Sequence, residues 1–358
     1  MVYLLVLLPF IGWYLGGIYC FLTFYIIFAG VPLVDYWIRD PSNPKEEDEH
    51  KLLIDPYFEG ITLAYLPVQI FSLTAALYIV STQTMTVIEW LGFCTSIGLV
   101  TGGVGITLAH ELMHKNTRYQ QVVSRIILVM VCYGHFIIEH VRGHHVRVAT
   151  PQDPASARLG ESIYHFLPRS IFGSFKSAWH LECRRLKQRQ LPVFSCYNQF
   201  WWIISAPVII TILCYMLGGL SCALFFLLQS FIAILTLEIV NYIEHYGLQR
   251  KKLENGRYER VSPCHSWNAN HWLSNMLLFH LQRHSDHHTY GARPYQILKH
   301  MEESPQLPSG YIGMIFIALF PPLWRAVMDK RVISYQQHLP ENIGSGDIWE
   351  QESKIELN

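Results

Sequence analysis

Apolar and polar positions along this chain fall into long blocks rather than short amphipathic periods. No charged residue occurs from Met1 to Val34. As one helix that run would be about 51 Å long, against a hydrocarbon core of about 30 Å, so two spans turning at Gly16-Gly17 are expected, at about 2–16 and 18–38. A cleaved signal peptide does not fit, because no basic segment precedes the apolar run. Apolar blocks at about 60–80, 87–109, 200–217 and 220–242 complete six spans in three hairpins. The turns at Gly16-Gly17, 81–85 and Gly218-Gly219 contain no Lys or Arg. Arg39, Lys45, Lys51, the block 115–189 and everything after Arg250 do contain them. The positive-inside rule then puts both termini, the segments 110–199 and 243–335, and a polar tail at 336–358 in the cytoplasm. Two further apolar stretches are expected to be re-entrant or interfacial rather than spanning. One, 122–138, carries Arg125 and Tyr133; the other, 311–328, is interrupted by Pro321-Pro322. The expected architecture is an all-α integral membrane protein of one domain, with a histidine-rich cytoplasmic cap.

Composition supports that picture: 51% of residues are hydrophobic and only 15% charged, too apolar for an ordinary soluble domain. With 27 basic against 27 acidic residues, nucleic acid is not an expected partner. The eight cysteines, at 20, 94, 132, 183, 196, 214, 222 and 264, include no C-x-x-C pair that could hold an iron-sulfur or rubredoxin-type iron. They read as reduced, buried thiols, and any redox electrons must come from another protein.

The candidate chemistry lies in the histidines. His110-Glu-Leu-Met-His114, His140-Val-Arg-Gly-His144-His145, Glu244-His245 and His284-Ser-Asp-His287-His288 each lie at the cytoplasmic end of a span or in a cytoplasmic segment. On a helix, positions i and i+4 share a face, so each box is a pre-aligned set of imidazoles. Three boxes plus His245 make nine candidate ligands, enough for two metals with four or five nitrogens each and an open position. His110-Glu111-x-x-His114 also matches the zinc-protease pattern, but that chemistry needs one further ligand and leaves six histidines unexplained. Ligands shared between boxes must lie on one side of the membrane, which excludes 122–138 as a seventh span. His280, four before His284, shares its helical face and is a weaker candidate; the remaining histidines read as structural. Glu111, Glu139, Asp153, Glu244 and Asp286 are candidates for accepting the outer imidazole N–H groups rather than for binding metal.

These segments resemble the membrane alkane 1-monooxygenases, the alkane hydroxylase family of histidine-box di-iron membrane hydroxylases. The resemblance rests on HELMHK (110–115), EHVRGHH (139–145), NYIEHYGLQR (241–250) and LQRHSDHH (281–288), and the hydrophobic layout extends it over nearly the whole chain. Fatty-acid desaturases share the general three-box pattern, whereas the segments NYIEHYG (241–247) and LQRHSDHH (281–288) are more particular to alkane and related hydrocarbon hydroxylases. The resemblance implies a six-helix membrane domain in a bacterial cytoplasmic membrane. It also implies two irons held by His110, His114, His140, His144, His145, His245, His284, His287 and His288, and terminal hydroxylation of medium-chain n-alkanes with O2. Electrons would come from rubredoxin, reduced by an NADH-dependent reductase, with no flavin, haem or nucleotide on this chain. Relatives usually carry a polar leader before the first span, while here the apolar run starts at Met1. A membrane acyl desaturase or lipid hydroxylase is the alternative.

Two expectations follow about access. An alkane has no polar handle and partitions into lipid, so it should enter a membrane-embedded apolar channel ending beneath the metals. Trp13, Tyr14, Tyr19, Phe21, Phe24, Tyr25 and Phe28 of the first two spans are candidates to close its far end. Arg184, Arg185, Lys187, Arg189 and Lys251 are candidates to dock an acidic rubredoxin, or else to contact anionic lipid.

Overall fold

The computed structural model describes residues 2–338, so the expected polar tail at 336–358 lies, past His338, outside the described residues. Among the described residues the chain is helical, with three isolated bridges and no named strand. Helix α1 (Val2–Leu15) ends at Gly16 and Gly17, whose φ values of 73° and 56° make a reversal that residues bearing a Cβ adopt at a cost. Helix α2 (Gly17–Trp37) is composite, opening as a 3-10 stretch and containing a π-turn at Ile26–Gly30. Helix α3 (Pro56–Thr82) starts where the Asp55 side chain accepts the Tyr57 N–H at 2.9 Å, with Pro56 in the first turn. Helix α4 (Val87–Met113) opens on a capping box in which Thr86 and Glu89 satisfy each other's backbone N–H. Helix α5 (Ile163–Gln188) is amphipathic, and α6 (Gln199–His245) is two arms broken at Gly218 and Gly219, the latter with φ 67°.

The three expected turns meet at one end of the molecule. Glu89 Oε1 accepts the Gly17 N–H at 2.9 Å, Trp90 Nε1 donates to Ser221 Oγ at 3.0 Å, and Gly218 packs directly on Ser81. All histidine boxes therefore lie at the opposite end. By length and composition α2, α3, α4 and α6 can each cross a membrane, and α1 is a shorter apolar helix. Phe71, Tyr78, Leu213, Met216, Leu217 and Leu220 point outward and are more than two-fifths exposed, which only an apolar solvent tolerates along whole helices. The chain is a multi-pass membrane protein.

Helix α4 is central and mostly buried, whereas α2 and α6 turn most of their apolar surface outward. It meets the second arm of α6 through Gly98 and Gly102, a spacing of four that lets two backbones approach. A Cβ at Gly98 would lie 2.7 Å from Ile232 Cβ, and one at Gly102 2.8 Å from Ala233 Cα. Beside this contact Gln229 accepts from Thr101 Oγ1 at 2.9 Å and donates to the Met130 carbonyl at 3.2 Å, so no amide group is stranded. This contact sets the relative height of the ends that carry His110 and His245.

The two doubtful apolar stretches do not form continuous helices. Helix Arg118–Val129 is followed by a turn with Cys132 at φ 55° and then by the short helix Phe136–Glu139. Ser124 Oγ ties this segment to the Ala109 carbonyl at 2.7 Å, and Tyr133 donates to Glu238 Oε1 at 2.5 Å. Residues 311–328 likewise divide into Tyr311–Ala318 and Pro321–His338, where the proline pair cannot continue the preceding helix.

Candidate metal centre

His110 lies in the last turn of α4, inside the apolar helix rather than beyond it, and His114 caps that helix. His245 is the last residue of α6, and His284, His287 and His288 lie on the short helix His284–Thr289. The middle box departs from the expected α-turn: His140–His144 is a π-turn, with His145 opening the next helical turn. The wider turn sets His140 against His145, their Nε2 atoms 3.0 Å apart, and turns His144 away. Gly143 leaves the room for the Glu139–Arg147 pair across this turn, since a Cβ there would lie 2.4 Å from Arg147 Nη2.

The nine histidines converge into two groups. One holds His110, His114, His140, His145 and His287; the other holds His144, His245, His284 and His288. Within the first, Nε2 of His140 is 2.8 Å from that of His110, and Nε2 of His145 is 3.1 Å from that of His287. Within the second, Nε2 of His284 lies 2.9 Å from that of His288 and 3.3 Å from that of His245. Two nitrogens each about 2.1 Å from one ion and at right angles to it are about 3.0 Å apart, so these are the separations expected of neighbouring ligands. Burial holds His114, His140, His145, His284, His287 and His288 well below the ordinary imidazole pKa, which keeps their lone pairs free for a metal at neutral pH. His114 Nε2 and His144 Nε2 are buried with no hydrogen-bond partner, which a cation would satisfy. The donor set fits two metal ions.

Of the five carboxylates expected to accept outer N–H groups, Asp153 meets one: its Oδ2 is 2.9 Å from His144 Nδ1. Burial pushes the Asp153 carboxyl up, but the His144 imidazole and the Ser156 hydroxyl outweigh it and hold it below the usual range. Glu244 lies instead on the inner side, with Oε2 3.1 Å from His284 Nε2. Glu111, Glu139 and Asp286 turn from the imidazoles to Lys115 at 2.5 Å, Arg147 at 2.6 Å and Arg293 at 2.6 Å, because each has a cation within reach four to eight residues further along the chain. The second outer acceptor is one that no side-chain motif marks: the His265 carbonyl, 3.3 Å from His245 Nδ1. His280 belongs to neither group.

Directly below the groups is an apolar cavity. Each of three histidine-bearing segments contributes a wall residue about one turn before its first cage residue: Thr107 before His110, Val240 before Glu244 and Leu281 before His284. Leu5, Ile27, Phe28, Val100, Gly103, Val104, Leu237 and Ile312 continue the walls. Of the seven aromatics expected to close a channel, Phe28 is the one that lines this cavity. Tyr14, Tyr19, Phe24 and Tyr25 are exposed on the outer surface, Trp13 packs in the apolar cluster at the turn end, and Phe21 lies against Gly92. Helix α2 presents residues 27 and 28 inward, a phase that its π-turn sets. Among the basic candidates, Arg184 and Lys187 line surface depressions. Arg185 is engaged by Glu182 at 2.6 Å, while Arg189 and Lys251 are exposed.

The fatty acid desaturase family matches residues 88–318, the stretch that carries all nine histidines. Alkane 1-monooxygenase 1 of Pseudomonas aeruginosa is 49% identical over 86% of this chain and 82% of its own length. Alkane 1-monooxygenase 2 of the same organism is 46% identical over 90% and 88%. The hydroxylase component of a xylene/toluene monooxygenase of Pseudomonas putida is 26% identical over 89% and 84%. The histidine cage, the apolar helices that carry it and this near full-length identity together establish that the chain belongs to the alkane 1-monooxygenase family.

Proposed function

We propose that this protein hydroxylates the terminal carbon of medium-chain n-alkanes, using O2, two irons held by the nine histidines, and electrons from reduced rubredoxin. The observation that carries the reading is the placement of the cavity: three of the segments that hold the cage, the ends of α4 and α6 and the stretch before His284, each supply a wall residue about one turn before it. The two hydroxyls in its wall are already satisfied within their own helices, Thr107 by the Gly103 carbonyl at 2.7 Å and Thr236 by the Ile232 carbonyl at 2.8 Å. The cavity thus offers no waiting polar partner to a carboxyl or ester, which favours a hydrocarbon over an acyl substrate.

When bound, the irons supply the activation of O2 that an unactivated C–H bond requires. The protein's part is positional. The apolar walls exclude water and admit the narrow end of the chain first, so that the terminal methyl group lies nearest the cage. Asp153 and the His265 carbonyl fix the ring orientation of His144 and His245 through their Nδ1 atoms. Six spans in three hairpins, with both termini and the cage in the cytoplasm of a bacterial inner membrane, fit the charge asymmetry of the loops and the meeting of three uncharged turns at one end.

The test is to supply membranes containing the protein with octane, NADH, rubredoxin and its reductase, and to follow 1-octanol by gas chromatography. Octanol should form, and the purified chain should carry about two irons. Oxidised acyl lipid without octanol, or one zinc per chain, overturns the reading.

A further inference from the structure

We infer that the cleft between α5 and the loop 147–158 docks a small acidic one-electron carrier protein, and that Asp153 and His144 connect this cleft to the four-histidine group. The inference rests on the reading above in needing an external donor, and it adds where that donor binds. The cleft, of about 540 Å³, is lined by Arg147, Arg158, Arg169, Lys176, His180 and Arg184, with Asp153 in its wall. Two of these cations are compensated, Arg147 by Glu139 at 2.6 Å and Arg169 by Glu161 at 2.7 Å. Lys176 and Arg184 are exposed and form no ion pair among the described residues. The cleft therefore keeps a net positive charge.

The arrangement on α5 separates a protein partner from a lipid one. Lys176, His180 and Arg184 follow at intervals of four, and Lys187 extends the row into the adjoining depression. About a third of a turn away round the helix, Phe175 and Trp179 pack on Phe200 at the start of α6, with ring centroids 5.4 Å and 5.3 Å apart. The apolar row thus faces the membrane hairpin, and the basic row lies about a third of a turn from it on the exposed side of α5, a placement that favours a protein partner over a bilayer.

The cleft is also the short way in. Asp153 is 1% exposed, yet it lines the cleft, and its Oδ2 holds His144 Nδ1 at 2.9 Å. One carboxylate and one imidazole separate the docking surface from the site of the four-histidine group.

The experiment uses the full chain in nanodiscs and purified rubredoxin as the probe, and measures Kd against ionic strength. Wild type should bind more weakly as salt rises, since exposed charges are screened over about 8 Å at physiological salt. The double variant Lys176→Glu/Arg184→Glu should raise Kd at least tenfold, while dithionite reduces its metals as in wild type. Lys176→Gln/Arg184→Gln, a milder change in case charge reversal perturbs folding, should raise Kd by a smaller factor. A Kd insensitive to salt and to both variants overturns the inference. So does a variant that loses adhesion to vesicles of anionic lipid while keeping its rubredoxin affinity, because the row is then a lipid contact. Binding is read without turnover, so the two proposals fail separately: docking at this cleft without octanol removes the function, and octanol with an unchanged Kd removes the docking site.

Discussion

The two histidine groups differ more in their surroundings than in their ligands. Glu111, Glu139 and Asp286 each adjoin a member of the five-histidine group in sequence, and each is neutralised by its own cation, Lys115, Arg147 and Arg293. That group is a cluster of neutral imidazoles, and His114 and His145 are partly exposed. The four-histidine group is wholly buried and keeps two carboxylates to itself, Asp153 on an outer nitrogen and Glu244 on the inner side. One site would therefore hold a cation by ligand number alone. The other adds negative charge and rings held in place, which raises both the affinity and the rigidity of a site. Similar sets of side chains become unlike sites through where the nearest carboxylates point.

Breaking the four-histidine group should have the largest effect. His245→Ala removes a proposed ligand that belongs to no H-x-x-x-H box, and it should lower octane hydroxylation by more than about 100-fold, beyond the range that loss of an outer partner produces. Metal analysis should show about half the wild-type iron, with helical content unchanged by circular dichroism; full iron content and normal turnover would sink the assignment. Asp153→Asn keeps the shape but weakens the acceptor at His144. Iron affinity of the four-histidine group or activity should fall about 10- to 100-fold, read by metal titration, with occupancy of the other group retained. Chelation sharpens the same contrast without mutation. A stepwise chelator titration should release about half the iron at lower chelator concentration, from the partly exposed five-histidine group, and a single-step release would show that the two sites are equivalent.

The cavity contrasts in the same way with the exposed aromatic surface of the first two spans. A Cβ at Gly103 meets nothing within 4 Å, so the cavity has space for a side chain there. Gly103→Leu should cut turnover of the longest accepted alkane about tenfold or more and leave shorter ones usable, because each displaced methylene is worth about 1 to 3 kcal/mol. Product chromatography across an alkane series checks it. Tyr14, 83% exposed, is the opposite case: Tyr14→Ala should leave the chain-length profile unchanged and stability within about 0.5 kcal/mol. A shift in that profile would place the channel end at the outer surface after all.

What the sequence determined by itself is what depends on near neighbours along the chain. Uncharged runs mark the apolar helices, because an unpaired charge or backbone group is costly in hydrocarbon. Gly16-Gly17 and Gly218-Gly219 mark turns because their backbone conformations suit glycine, and eight histidines in three boxes at helical spacing, with His245, mark a candidate metal cage. Its partition was not legible. The adjacent His144 and His145 enter different groups, as do His284 and His287, because a π-turn and the crossing of α4 on α6 choose partners from segments more than a hundred residues apart. Tertiary structure likewise sent Glu111, Glu139 and Asp286 to cations, brought a backbone carbonyl from His265 to His245, and turned Ile27 and Phe28 rather than Tyr14 or Tyr19 to the cavity. A carboxylate goes to the nearest uncompensated charge and a side chain to the nearest apolar gap, and both are properties of neighbours in space that the order of residues does not state.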